Sequence, residues 1–285
     1  MLTTAVTWAY VRLVSDRSAG EILDRNFTRA ERSVRRVYAE QIARLGLTAR
    51  LLASFPELKA LFATDIATLE DFLVGYQQRI ATGATLIALG PDGSMIGRAN
   101  DTGPMSAGGD EWVPALLAAH SDGAIVRIGR RLFIAVASPS EAGGTIFGYL
   151  VAAEPINQAF ADSVSQMAQS DVVLLVKDEI IGSTLQSAET PWRSLEAWHA
   201  SGGAAGRFID VAIGTRRFAA REVPLANDPP VSVVVVNPQD DVVQPFRSIE
   251  AGFVLIGFVA LAAATLGSVW FSRAVMPGRR TRLPS

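Results

Sequence analysis

Apolar residues step by four and three along the first part of the chain, at Leu23, Phe27, Ala30, Val34, Tyr38, Ile42, Leu45, Ala49 and Leu52. That spacing predicts one long helix from Ser15 to about Ser54, with Arg, Glu and Asp on its other faces and a near-heptad seam. Such a seam fits pairing with a second copy of itself or packing on its own domain, and the sequence leaves both open. Ser54-Phe55-Pro56-Glu57 has the form of a capping box with an early proline. It predicts a short helix through Leu61, followed by another over Ile66–Ile80.

At Gly83 the period changes from helical to alternating. Thr85–Leu89 and Ser94–Ala99 are predicted strands around the turn Gly90-Pro91-Asp92-Gly93. A helix over Glu111–His120 follows, then strands over Ala124–Ile128, Leu132–Ala137 and Thr145–Ala153. Pro155–Ala168 is helical in spacing and leads into a second set. That set has strands over Asp171–Val176 and Ile180–Thr184, a helix over Trp192–Ala200, and strands over Gly206–Ile213, Arg217–Val223 and Val231–Val236.

The two sets are copies. Val126, Ile128, Gly129, Arg131, Phe133, Ala135 and Pro139 recur 85 residues later as Val211, Ile213, Gly214, Arg216, Phe218, Ala220 and Pro224. A long period seen only twice indicates a duplicated small domain rather than a stacked array. Each copy is a hairpin, a helical crossover and a three-stranded meander. The expectation is an α+β fold with two antiparallel five-stranded sheets, each carrying its helices on one face.

Both ends of the chain are apolar. Ala251–Ser272 is 22 residues without a charge. As a helix it reaches roughly 33 Å, enough for a hydrocarbon core of about 30 Å. Arg273, Arg279, Arg280 and Arg282 follow it, while Asp240, Asp241 and Glu250 precede it. The positive-inside rule then places the bulk of the chain outside the cell. Met1–Val11 is uncharged but too short to span, and fits the outer half of a first transmembrane helix. Ala260, Ala264 and Ser268 give the C-terminal span a small-residue ladder suited to close helix pairing in a homodimer.

Charge and chemistry narrow the function. With 26 basic and 28 acidic residues the net charge is -2, so no basic field for nucleic acid exists. Cysteine is absent, which excludes thiol nucleophiles, disulfides and thiolate metal sites. His120 and His199 fall in different copies without acidic clusters, and no phosphate-binding loop, dinucleotide fingerprint, nucleophile elbow or zinc-protease motif occurs. Ser138-Pro139 and Asp240-Asp241 have no base or ligand spacing around them. No enzyme, metal or cofactor is expected.

The long first helix, the tandem modules, the terminal span, and phrases such as TGATLIALGPDGSMIGRAN and GGTIFGYLVAAEPI resemble the double Cache sensor region of bacterial transmembrane receptors. Cache modules are extracytoplasmic relatives of the PAS fold. The resemblance implies an inner-membrane protein with its sensor region outside and a small-molecule ligand. It implies signal output through a kinase, cyclase or chemotaxis module, before which this sequence is expected to be truncated. The expected segments are 1–14 (partial first span), 15–82 (stalk helix and helical hairpin), 83–168 (membrane-distal module), 169–246 (membrane-proximal module), 249–272 (span) and 273–285 (basic cytoplasmic tail). A membrane-anchored binding or adhesion protein without output is the alternative. The aromatic and Arg-Trp-Tyr cluster that binds amino acids in one branch of the family is not visible, so the ligand class stays open.

The resemblance also implies that the distal module holds the ligand. Its candidate residues are Arg98, Asp101, Trp112, Arg131 and Tyr149. Arg98 and Asp101 face Ser183 and Gln186 in the second copy, so their charges are specific to the first. Tyr149 puts a hydroxyl into an apolar strand, while Trp112 also suits a core and Arg131, recurring as Arg216, also suits a structural role at the hairpin.

Overall fold

The computed structural model describes residues 2–62, 66–80, 83–99, 111–119, 122–177, 179–185, 209–213 and 216–238, together with 259, 262–266 and 270. Residues 26–237 form one compact unit, and 1–25 with 238–285 form another. In the smaller unit, the described positions 259, 262–266 and 270 are helical. Among the described residues no helix is long and apolar enough to cross a membrane. Most of Ala251–Ser272 lies outside them.

Helix α1 (Leu2–Ala53) carries the predicted seam. Phe27, Ala30, Val34, Leu45, Ala49 and Leu52 are at most 3% exposed within the single chain. The seam packs on its own domain. Tyr38 lies on the same seam, and burial pushes its phenol pKa up.

The end of α1 corrects one local expectation. Ser54 does not cap the next helix; its Oγ donates to the Leu51 carbonyl at 2.6 Å and so terminates α1. The N-cap of α2 (Pro56–Leu61) is Phe55, extended at φ -68° and ψ 131°, with no side-chain bond. The proline after Phe55 imposes that extended backbone. The Ala53 carbonyl, one of the four left open at a helix C-terminus, accepts from Ser140 Oγ at 3.1 Å. Helix α3 (Ile66–Ile80) follows.

The first sheet is built from β1 (Thr85–Leu89), β2 (Met95–Arg98), β3 (Ala124–Ile128), β4 (Arg131–Ala142) and β5 (Thr145–Pro155), in the order β2-β1-β5-β4-β3. Asp92 closes the β1–β2 turn, accepting from the Ser94 amide and hydroxyl, which lowers its carboxyl pKa. Helix α4 (Trp112–Ala119) is the crossover. Among the described residues no strand pairs with the outer edge of β4 beyond Ala135, and Pro139, which lacks an amide donor, sits in that stretch.

The second sheet repeats the first. Strands β6 (Asp171–Val176), β7 (Glu179–Ser183), β8 (Ile209–Ile213), β9 (Arg216–Asn227) and β10 (Pro230–Pro238) are ordered β7-β6-β10-β9-β8. The rungs Ala124↔Ala135, Val126↔Phe133 and Ile128↔Arg131 return as Ile209↔Ala220, Val211↔Phe218 and Ile213↔Arg216. The repeat seen in the sequence is therefore the β3–β4 ribbon, down to the proline that follows its paired part. The predicted helix over Trp192–Ala200 lies outside the described residues.

Helices on one face only is not what forms. On the first sheet, α4 packs against Ile87, Phe133, Ala135 and Val151. The opposite face meets α1 and α3: a Cβ added to Gly46 would touch Val136, and one added to Gly97 would touch Leu69 and Glu70. All five residues of β1 are buried for this reason. The sequence carried the signal in its uninterrupted runs LIAL and VVLLV, since continuous apolar strands are those covered on both sides.

Helix α5 (Gln158–Ala168) joins the modules. Asn157 Oδ1 caps it, accepting from the amides of Ala159 (3.0 Å) and Phe160 (3.3 Å). The Gln158 carboxamide brackets Ser183, donating to its carbonyl at 2.8 Å and accepting from its amide at 3.0 Å. Asn157→Ala is expected to cost about 0.5–2 kcal/mol, measurable as a lower midpoint in urea with an unchanged slope.

Candidate ligand-binding site

Directly paired residues of an antiparallel ladder project to the same face. One rung of the first sheet runs Arg98, Ile87, Val151, Ala137, and the next on the same face runs Met95, Leu89, Tyr149, Pro139. The ladder therefore brings Arg98 and Tyr149 to the α4 side of the sheet, on successive rungs of that face. Trp112 reaches the same side from α4 and is part of the core cluster against which Tyr149 packs. Arg98, Trp112 and Tyr149, all singled out in the sequence, thus share one face.

Trp112 is 7% exposed, and among the described residues its indole N–H has no hydrogen-bond partner. A buried donor left unpaired costs about 1–3 kcal/mol, so a core role alone does not account for it. Arg98 is half-buried and is engaged by a neighbouring group within the chain. Asp101 and both histidines lie outside the described residues.

A cavity of about 390 Å³ opens where β3 ends and the β4 edge is bare. Its walls include Ile42, Gly46, Arg50, Leu117, Ser138 and Tyr149, so it lies between α1 and the end of α4. The lining is mostly apolar with three polar groups: the Tyr149 phenol, the buried Ser138 hydroxyl and the Arg50 guanidinium, whose Nε donates to the Gly46 carbonyl at 3.2 Å. An apolar cleft of a few hundred Å³ with a few convergent polar groups is the usual form of a small-molecule site.

Sequence reasoning missed two of these residues. Arg50 lies on the helix that was read as a stalk, and Ser138 was considered only as a nucleophile. The small residues Ala43 and Gly46 on one face of α1, a turn before Arg50, were the available sign that this stretch approaches the sheet closely.

Among the described residues singled out in the sequence, only Tyr149 lines this cavity; Arg98 and Trp112 do not, and neither does Arg131. It is exposed at the β3–β4 turn, paired with Ile128, and lines a separate groove toward the second sheet with Arg127 and Arg130. Its rung with Ile128 belongs to the same face but lies at the opposite end of β4 from the Tyr149–Pro139 rung. Among the described residues no group of three or more His, Cys, Asp or Glu side chains could hold a metal ion.

The same architecture occurs in solved sensor domains. The periplasmic domain of Vibrio cholerae LuxQ is similar over 74% of this chain and 99% of its own, with a TM-score of 0.54 and 16% identity. The sensory domain of the Campylobacter jejuni chemoreceptor Tlp3 with isoleucine bound is similar over 82% of this chain and 98% of its own, with a TM-score of 0.50 and 11% identity. At these identities the likeness is one of fold. No curated protein matches the sequence. The dCache_3 family model, described as the double sensory domain of two-component sensor kinase, matches residues 22–242. With most of its length matched and both sheets in place, the chain belongs to the double Cache family of extracytoplasmic sensor domains.

Proposed function

We propose that this chain is the extracytoplasmic ligand-sensing region of a bacterial transmembrane receptor, and that a small metabolite seats in its first module. The unpartnered Trp112 N–H carries this reading: it is a buried donor on the face that also holds Arg98 and Tyr149. Arg98 and Asp101 orient a polar or charged group of the ligand, Tyr149 offers its hydroxyl, and Trp112 supplies both an apolar wall and a donor. Isoleucine in the Tlp3 sensory domain supports a ligand of metabolite size. Arg131 stands outside this site.

Ala251–Ser272 anchors the chain in the inner membrane and conveys the bound state toward the cytoplasm. Val259, Leu266 and Trp270, on helical positions within it, are 60%, 71% and 74% exposed, as lipid-facing side chains would be. Two copies associate through the Ala260, Ala264 and Ser268 ladder.

A thermal-shift screen of the full chain in detergent micelles against metabolite classes tests the reading. One class should raise the midpoint, because a ligand specific to the folded state adds RT ln(1 + [L]/Kd). Titration calorimetry with that compound should show Arg98→Ala or Asp101→Ala at least about tenfold weaker, roughly 1.4 kcal/mol, and His199→Ala unchanged. No stabilising class, or full affinity in both charge variants, removes the proposed site.

A further inference from the structure

The β3–β4 turn places Arg127, Arg130 and Arg131 within five positions, all exposed. They line a groove of about 470 Å³ together with Val176, Glu179 and Ile181 of the second sheet and Pro155–Asn157 of the joining segment. That segment is pinned: the Ile156 amide donates to the Leu132 carbonyl at 2.8 Å, and the Asn157 side chain is occupied as the α5 cap.

Three guanidinium groups face a single carboxylate there, a local balance of +2 in a chain whose net charge is -2. On α1, three exposed arginines are paired with carboxylates: Arg35 with Glu31, Arg36 with Glu40 and Arg44 with Glu154. The side chains of the three groove arginines form no hydrogen bond or ion pair among the described residues. Like charges held this close repel one another, and a multivalent anion between them would reverse the sign of that energy.

The duplication supplies an internal comparison. Arg131 has a counterpart in Arg216, so one arginine belongs to the hairpin itself. Arg127 and Arg130 correspond to Ala212 and Thr215. The second copy carries Arg217 where the first has Leu132, so its turn holds two arginines against three, and arginines at the positions of Arg127 and Arg130 are particular to the first module.

We propose that this groove is a second ligand site, separate from the first-module cavity, for a small multivalent oxyanion carrying carboxylates or phosphate. Its volume falls in the range of small-molecule pockets. Because residues of both sheets line it, a bound anion ties the two modules together and so modulates how the first reports to the second.

The test is calorimetry on the full chain in detergent micelles, with citrate and inorganic phosphate as probes and acetate at matched ionic strength as the control. Citrate, phosphate or both should bind saturably by roughly 1 mM, and the stronger probe identifies the carboxylate or phosphate class. The double variant Arg127→Gln with Arg130→Gln should weaken binding at least about tenfold. Arg36→Gln, an exposed arginine on α1, should leave it unchanged. Trp112→Phe should also leave it unchanged, which keeps failure here distinct from failure of the first-module site. Absence of saturable binding by either probe, an equal response to acetate, or full affinity in the double variant overturns the proposal.

Discussion

Phe27→Ala is expected to destabilise the protein by roughly 3–5 kcal/mol, the cost of removing a fully buried aromatic and leaving a cavity. Phe27 is 1% exposed on the seam of α1. The Arg221 guanidinium, buried on β9 of the second module, lies over its ring at 5.0 Å. Truncation would remove the apolar contact and the ring face beneath a desolvated cation together, a contact worth about 2 kcal/mol when water is excluded. Phe147→Ala is the comparison: at 38% exposure on the β4–β5 hairpin, it should change stability by less than about 1 kcal/mol. Guanidinium unfolding of both variants separates them. Equal midpoints would mean that α1 is not packed against the second module through Phe27.

The second large effect is steric. Gly148 pairs with Ser140 in the β4–β5 ladder, and a Cβ there would overlap the Phe62 ring and approach the Leu89 carbonyl oxygen to 2.5 Å. A ring can swing aside; the backbone carbonyl of a central strand cannot without breaking its ladder. Gly148→Ala should therefore cost at least about 1–3 kcal/mol, the usual range for overpacking. Gly75, inside α3 with open space around it, predicts the opposite sign, since alanine in a helix interior gains about 0.5–1 kcal/mol over glycine. Thermal midpoints that fall for Gly148→Ala and rise for Gly75→Ala confirm the packing of α2 over the first sheet. A neutral Gly148→Ala would contradict it.

Much of this architecture was legible because local signals agreed with one another. Strands β1, β3 and β6 begin and end where turn residues and alternation said they would, since a Pro-Asp-Gly or Ile-Gly turn fixes the register on both sides. Strands β4 and β5 run longer than expected. The Ser-Pro-Ser-Glu stretch fell between the predicted strands, but ladder pairing carries it on to the tip at Gly143 and Gly144, which take positive φ of 59° and 82°. Pairing with a neighbour outweighed local propensity there.

The candidate site was legible in part, for a related reason. Period-two alternation fixes which face a strand residue occupies, and the ladder puts Arg98 and Tyr149 on one side. Alternation does not fix what lies beyond the end of a strand. Arg131 belongs to a groove whose other wall begins 45 residues later at Val176, a juxtaposition set only by how the two sheets are joined. Arg50 and Ser138 were hidden in the same way, because α1 meets the β4 edge through tertiary packing. The unsatisfied N–H of Trp112 is likewise a property of its surroundings and not of its residue type.

Hydrogen–deuterium exchange of the full chain, with and without the stabilising metabolite, tests the placement of the ligand most directly. The account predicts slowed exchange in α4 (Trp112–Ala119) and at the bare edge of β4 over residues 136–140, with β6 and β7 unchanged. Protection confined to the second sheet, with α4 and the β4 edge exchanging as in the free protein, would contradict it.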